Sequence, residues 1–234
     1  MPVGVVTGAS RGLGLALTRA LAARGWRLVV DARDGTALER ALHGIEGRDG
    51  VTAIAGDVAD PRHRREIAAA AARHGGVDLL VNNAGALGMP GRPPLERHPL
   101  DDLERVLRVN VVAPLGLVQE LLPALRAARG MVVDVTSDAA AEAYAGWGVY
   151  GASKAALDRL TAVLAQEEPE LRVYSFDPGD MRTAMHQEAF AGEDVSDRPA
   201  PESVVPALLA LLDRRPPSGR YTSAEPVPAG EVAS

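Results

Sequence analysis

The feature that most limits the fold of this chain is an alternation. Short runs of Val, Leu and Ile are each followed by a longer stretch with apolar residues three or four apart. The short runs lie at 3–6, 27–31, 51–55, 77–82, 131–135 and 171–176. They are rich in Val, Leu and Ile without strict alternation, as strands buried on both faces are. Ala-, Leu-, Arg- and Glu-rich segments at 12–24, 35–43, 61–74, 100–128, 150–168 and 202–213 read as helices between them. This repetition predicts an α/β fold, a doubly wound, mostly parallel sheet with helices on both faces and right-handed crossovers. Residues around Tyr221 would add a final edge strand, making about seven. Two stretches, 86–99 and 184–201, break the rhythm and are rich in Gly, Pro, Met and charge. Loops that long inside a compact fold are lids or disordered segments. No repeat or linker divides the chain, so residues 1–234 are expected to form one domain.

Composition removes whole classes of function. The net charge is −6 and no Lys/Arg cluster is present, which argues against nucleic-acid binding. The absence of cysteine excludes disulfides, thiol catalysis and thiolate zinc sites. Histidines 43, 63, 74, 98 and 186 lack metal-ligand spacing and are expected at the surface. No apolar run is expected to reach the roughly 18 residues of a membrane span, and no basic-then-apolar leader opens the chain. A soluble, cytoplasmic protein is expected. The basic residues comprise 24 arginines and one lysine, Lys154, and only three asparagines occur, Asn82, Asn83 and Asn110. A chain so biased has replaced Lys and Asn wherever the swap was harmless, so the survivors are candidates for chemistry.

The first strand runs into Thr7-Gly8-Ala9-Ser10-Arg11-Gly12-Leu13-Gly14, and an amphipathic helix follows. Glycines at a strand end let the backbone approach a pyrophosphate, whose charge the helix N-terminus then meets. The context is the one a dinucleotide-binding motif requires.

Further motifs follow in order: Asp57-Val58, Asn82-Asn83-Ala84-Gly85, Asn110, Ser137, Tyr150-Gly151-Ala152-Ser153-Lys154 and Pro178-Gly179 with Thr183. With Gly8, Gly12 and Gly14 spaced Gly-x-x-x-Gly-x-Gly, the sequence resembles the short-chain dehydrogenase/reductase family, in its short single-domain branch. The resemblance spans residues 2 to about 185 and implies a Rossmann-type sheet. It also implies that Gly8, Ser10, Arg11, Leu13 and Gly14 shape the pyrophosphate turn and that Asp57 and Val58 contact adenine. Asn83, Ala84 and Gly85 would border the ribose and phosphate path, and Pro178, Gly179, Met181 and Thr183 the nicotinamide carboxamide. Asp57 has a second reading as a turn or helix cap, and Asn82 reads better as a strand brace than as a ligand contact.

The family's NAD-selecting acid lies 24 residues after the first glycine, where this chain has Ala32. Arg33 and Arg11 stand where NADP-using members carry basic residues, and arginine suits a 2′-phosphate. Strand alternation should turn Asp31 away. The expected cofactor is therefore NADP(H).

Tyr150 and Lys154 are four residues apart at a helix start and so share a face. A neighbouring ammonium is expected to lower the pKa of the phenol, fitting it for proton transfer. Ser137, at a strand's C-terminal end, would donate to a substrate carbonyl beside Tyr150. Asn110 resembles the family's fourth catalytic member, which bends its helix around a water linking lysine to solvent. Ser153 reads as a small packing residue. Together these point to a reductase of carbonyls or dehydrogenase of secondary alcohols acting on a small molecule. The alternatives are a non-catalytic NADP-sensing member, a 3-oxoacyl thioester reductase and a pteridine-type reductase, against which Gly12 argues. Substrate choice is expected from 86–99, 184–201 and 138–148. Tyr144 and Trp147 would wall the pocket or pack a subunit contact, and Met89, Met181 and Met185 would line it or fill the core. Relatives pair through the long 100–128 and 150–168 helices, so a homodimer or homotetramer is expected.

Overall fold

The structure, a computed structural model, describes residues 1–225; residues 226–234 of the expected domain lie outside them. Seven strands form one sheet, β1 (Val3–Val6), β2 (Arg27–Ala32), β3 (Val51–Ala55), β4 (Leu79–Asn82), β5 (Met131–Val135), β6 (Arg172–Asp177) and β7 (Gly219–Thr222). Their order is β3-β2-β1-β4-β5-β6-β7, and all pairings are parallel. The helices are α1 (Gly12–Ala23), α2 (Gly35–Leu42), α3 (Pro61–Ala72), α4 (Leu100–Leu107), α5 (Ala113–Ala128), α6 (Gly148–Glu167), α7 (Ala184–Ala189) and α8 (Val205–Arg214).

Strand alternation sorts the core into two layers. Val6, Val81, Val133 and Phe176 meet Leu17 and Leu21 of α1 and Leu208 and Leu211 of α8. Val5, Leu80, Val132 and Val173 meet Ile67 of α3 and Leu117, Leu121 and Leu125 of α5. Both faces being apolar explains why the strands are rich in Val and Leu at successive positions.

Three expectations need correction here. The 100–128 segment is not one regular helix, because a π-helical turn, Arg108–Val112, separates α4 from α5. The segment does reach the length and mean hydropathy (1.3) of a membrane span, contrary to the expectation that no run would. In this fold its apolar stripe lies against the sheet, as core helices of soluble proteins also do. The 184–201 stretch is not wholly irregular, since α7 occupies its start, capped by the Thr183 side chain.

The histidines are not all at the surface either. His63 of α3 is 4% exposed, and its Nε2–H donates to Asp31 Oδ2 at 3.0 Å. Asp31 Oδ1 accepts the Gly8 N–H at 2.9 Å, so the pair props the first glycine turn from beneath. The hydrogen bond to Asp31 raises His63 above its ordinary 6.5, with burial opposing. Protonated His63 therefore stabilises the fold fully below pH 6.5, and that contribution fades as pH rises through the higher folded value. The melting temperature of wild type is expected to exceed that of His63→Gln most at acidic-to-neutral pH. Thermal melts across a pH series should show the gap narrowing above neutrality, and a constant gap would refute the linkage.

Candidate active site

The sheet order reverses between β1 and β4, and the helices that follow these strands diverge to opposite faces. At the strand C-termini this opens a cleft of about 790 Å³. The first wall is the glycine turn. Gly8 and Gly12 have φ of +68° and +58°, a region that L side chains rarely adopt. Gly14 is constrained differently, because a Cβ there would lie 2.5 Å from both Asn83 Nδ2 and Gly8 O. Asn83 Nδ2 donates to the Thr7 and Gly8 carbonyls, while Thr7 Oγ1 accepts from the N–H groups of Asn83 and Ala84. Arg11 caps α1 without a side-chain bond, and no acid lies in its first turn. The first turn of α1, whose Gly12 and Leu13 border the cleft, thus brings the positive end of the helix dipole to it.

Gly8, Ser10, Arg11, Leu13, Arg33, Asp57, Val58, Asn83, Ala84 and Gly85 line this end. Gly14 does not, being buried behind the turn that it shapes. Ala32 is buried and Arg33 exposed at the end of β2. Asp31, expected to turn away, does border the cleft, although both its carboxylate oxygens are engaged by Gly8 and His63. Asp57 Oδ1 accepts from Ala59 N–H, so it also braces its own turn. Asn82 is a strand brace, its Nδ2 donating to Asp134 Oδ1 at 2.7 Å. A tight glycine cradle, an unguarded helix N-terminus and exposed arginines at the start of α1 (Arg11) and the end of β2 (Arg33) fit a phosphate-bearing dinucleotide.

At the other end, Ser137, Tyr150, Lys154, Pro178, Gly179, Met181 and Thr183 border the same cleft. Tyr150 falls in the first turn of α6 with Lys154 one turn on, and Lys154 Nζ lies 5.7 Å from the phenol ring centroid. Lys154 is 4% exposed and donates to the Val135 carbonyl at 2.7 Å. Burial pulls its ammonium down to about 8, against Asp134 and Asp158. Burial also pushes the Tyr150 phenol well above its ordinary value, opposed by the Ser137 hydrogen bond and reinforced by Asp177 and Asp138. The direction is opposite to the expected lowering of the Tyr150 pKa, because desolvation of the phenolate outweighs the Ser137 hydrogen bond.

Asn110 does not line the cleft. It sits fully buried in the π turn, where Oδ1 accepts from Ala86 N–H and Nδ2 donates to Ala86 O and Ser153 Oγ. Ser153 is more than a packing residue, since its hydroxyl also donates to the Tyr150 carbonyl at 2.6 Å. The Ser137 hydroxyl donates to Asp138 Oδ1 at 2.8 Å, and Tyr144 OH donates to Asp138 Oδ2 at 3.0 Å. Nothing in the spacing of Asp138 marks it in the sequence as a partner of both hydroxyls. Tyr144, Trp147, Met185 and Phe190 wall the mouth, whereas Met89 lies outside the lining. Arg92 of the 86–99 loop stacks over Trp147 and Phe190, 4.6 and 4.7 Å from their centroids, and so joins the 86–99, 138–148 and 184–201 segments.

A doubly wound sheet with a phosphate cradle and a Ser–Tyr–Lys set at its switch point defines a class, the nicotinamide-dependent oxidoreductases. The sequence profile described as short chain dehydrogenase matches residues 2–194. Dehydrogenase/reductase SDR family member 2, mitochondrial, of Homo sapiens is 36% identical over 185 residues, 77% of this chain and 65% of that protein. The chain thus spans just under two thirds of that relative's length. Sepiapterin reductase of Meriones unguiculatus is 35% identical over 197 residues, 78% of this chain and 75% of the relative. A short chain dehydrogenase from Escherichia coli CFT073, solved in complex with NADPH, superposes with a TM-score of 0.87. It is 29% identical, and the match covers 96% of this chain and 97% of that one. The chain belongs to the short-chain dehydrogenase/reductase family of oxidoreductases.

The two glycines of the turn should fail for different reasons. Gly12→Ala is expected to cost about 1–2 kcal/mol through its left-handed backbone, and Gly12→Asn less, because Asn tolerates that region. Gly14→Ala should cost about 1–3 kcal/mol by overpacking, with no rescue by Asn. Denaturant melts of the four variants check this, and equal responses at both positions would sink the distinction.

Proposed function

We propose that the protein is an NADP(H)-dependent reductase of carbonyl compounds, running in reverse as a secondary-alcohol dehydrogenase. The observation that carries the reading is the presence of Tyr150 and Lys154, on adjacent turns of α6, in the same cleft as the glycine turn, with Ser137 opposite. Arg33 and Arg11 would pair with the 2′-phosphate, with Ala32 leaving room, and Asp57 and Val58 would border the adenine. Gly8, Ser10, Leu13, Asn83, Ala84 and Gly85 would flank the ribose and phosphates, while Pro178, Gly179, Met181 and Thr183 would hold the carboxamide. When bound, the nicotinamide supplies a hydride to the carbonyl carbon. Tyr150 gives its proton to the carbonyl oxygen, and its raised pKa keeps it protonated at neutral pH, which suits reduction. Ser137 can donate to the same oxygen once its hydroxyl rotates off Asp138. The Lys154 ammonium stabilises the phenolate left behind. Asn110 acts through Ala86 and Ser153, steadying the backbone of Tyr150. Exposed Val112, Leu115 and Val163 on the α4–α5 and α6 surfaces support pairing of copies through these helices.

Mixing purified protein, NADPH and a carbonyl panel should give loss of NADPH absorbance that Tyr150→Phe abolishes. Binding of NADPH without turnover of any carbonyl would favour the sensing alternative instead.

Cofactor choice has its own test. Arg33→Ala is expected to weaken NADP(H) far more than NAD(H), by on the order of 1.5–3 kcal/mol for a charge-assisted contact. Paired titrations measure this, and equal losses would leave Arg33 a structural part only.

The sharpest test concerns Lys154. Arginine serves at all 24 other basic positions, so Lys154→Arg would be harmless at a solvated site. Here the ammonium is buried against the Val135 carbonyl, where a wider planar fork does not fit. Turnover at saturating NADPH, measured well below the variant's melting temperature, should drop at least about 100-fold. Near-normal turnover would remove Lys154 from the mechanism.

A further inference from the structure

Arg220, on the edge strand β7, reaches back behind the wall of the cleft without lining it. Its Nη2 donates to the Ser137 carbonyl at 3.1 Å and to Asp177 Oδ2 at 2.9 Å. Its Nε approaches Asp158 Oδ2 at 3.4 Å. Each partner leads to a different part of the site. Ser137 carries the hydroxyl assigned to the substrate carbonyl. Asp177 Oδ1 accepts the Gly179 N–H at 3.0 Å and so sets the turn assigned to the nicotinamide end. Asp158 lies one helical turn beyond Lys154 on the same side of α6. Asp177 is largely buried, with its side chain 10% exposed, so its charge needs this partner.

We infer that Arg220 is a positioning residue, whose single guanidinium sets the Ser137 main chain, the Pro178-Gly179 cofactor turn and the Asp158 carboxylate relative to one another. The inference rests on the reductase reading above. A purely structural staple is not what β7 needs, because four register pairs from Tyr174–Gly219 to Asp177–Thr222 already hold it to β6. The Ser223 hydroxyl, donating to the Pro178 carbonyl at 2.7 Å, ties the strand end down further.

The charge arrangement supplies a readout that a staple would not move. Tyr150 is faced by Asp138 from the segment after β5, by Asp177 from β6 and by Lys154 from its own helix. His186 of α7 approaches only through the Phe190 and Trp147 rings. Lys154 is faced by Asp134 from β5 and Asp158 from α6. Removing the Arg220 charge leaves Asp177 and Asp158 uncompensated, and both then favour the protonated forms of Tyr150 and Lys154 more strongly.

The experiment compares wild type, Arg220→Met and Arg220→Lys in NADPH binding by fluorescence and in alcohol oxidation across pH, with melting temperatures alongside. Arg220→Met should bind NADPH about 5–10-fold more weakly and turn over about tenfold more slowly. Its acid limb should shift up by about half a pH unit, with the melting temperature nearly kept. Arg220→Lys should return the limb to its wild-type position and recover turnover only in part, because an ammonium reaches fewer partners at once. An Arg220→Met protein matching wild type in binding, turnover and pH limb would overturn the inference while leaving the reductase reading intact. Loss of activity that tracks a fallen melting temperature, with the limb unmoved, would overturn it too. A wild-type protein that neither binds NADPH nor reduces any carbonyl would overturn the reductase reading, and the inference with it.

Discussion

The rest of the structure depends on the seam between β1 and β4. There the winding of the sheet reverses, so α1 leaves to one face and the chain after β4 to the other, and no connection crosses the strand ends. Parallel pairing from Gly4–Leu79 to Val6–Val81 holds the seam along its length. Thr7 and Asn83 close its end, the hydroxyl accepting two N–H groups from one strand end and the amide donating to two carbonyls of the other. Because Asn83 is anchored this way, Gly14 can carry no side chain, and α1 starts where its N-terminus points into the gap. Cleft, cradle and helix dipole are three results of one junction.

Charge is buried at the opposite end of the cleft, and the fold compensates it in layers. Lys154 sits over Asp134, which is 3% exposed, flanked by Asn82 and Thr161 and pushed up by burial. An isolated charge at that depth would be costly. With a carbonyl for its proton and carboxylates around it, the ammonium keeps its charge at neutral pH although burial draws it down to about 8. Burial drives the phenol beside it toward its neutral form too, which moves its pKa the other way, and Asp177 and Asp138 add to that rise. Two neighbouring groups on one helix thus take opposite assignments from their surroundings alone, a recurrent pattern in acid–base sites.

Much of this was legible in the sequence, for a physical reason. Strands buried on both faces must be apolar at successive positions, and a five-residue run such as 131–135 is too short for a buried helix and too apolar for a surface loop. The lysine and asparagines that the composition sets apart do stand in tight places, Asn83 bridging two strand ends and Lys154 buried beneath the cleft. What escaped lacks a local signature. A π turn at Asn110 arises from its bonds to Ala86, in a loop 24 residues away. His63 answers Asp31 across 32 residues, which no metal-spacing rule detects. Arg220 is one arginine among 24 and becomes special only when β7 docks beside β6. The direction of the Tyr150 shift depends on burial depth, which spacing does not encode.

The Arg92 clasp holds the mouth lightly. One guanidinium lies on both Trp147 and Phe190, whose rings also touch each other, so the three segments that bound the mouth meet at one point. Two such cation–π contacts near the surface amount to about 1–2 kcal/mol. Variation in these three segments can therefore retune what enters while the floor of the cleft, built from β5, β6 and α6, stays unchanged.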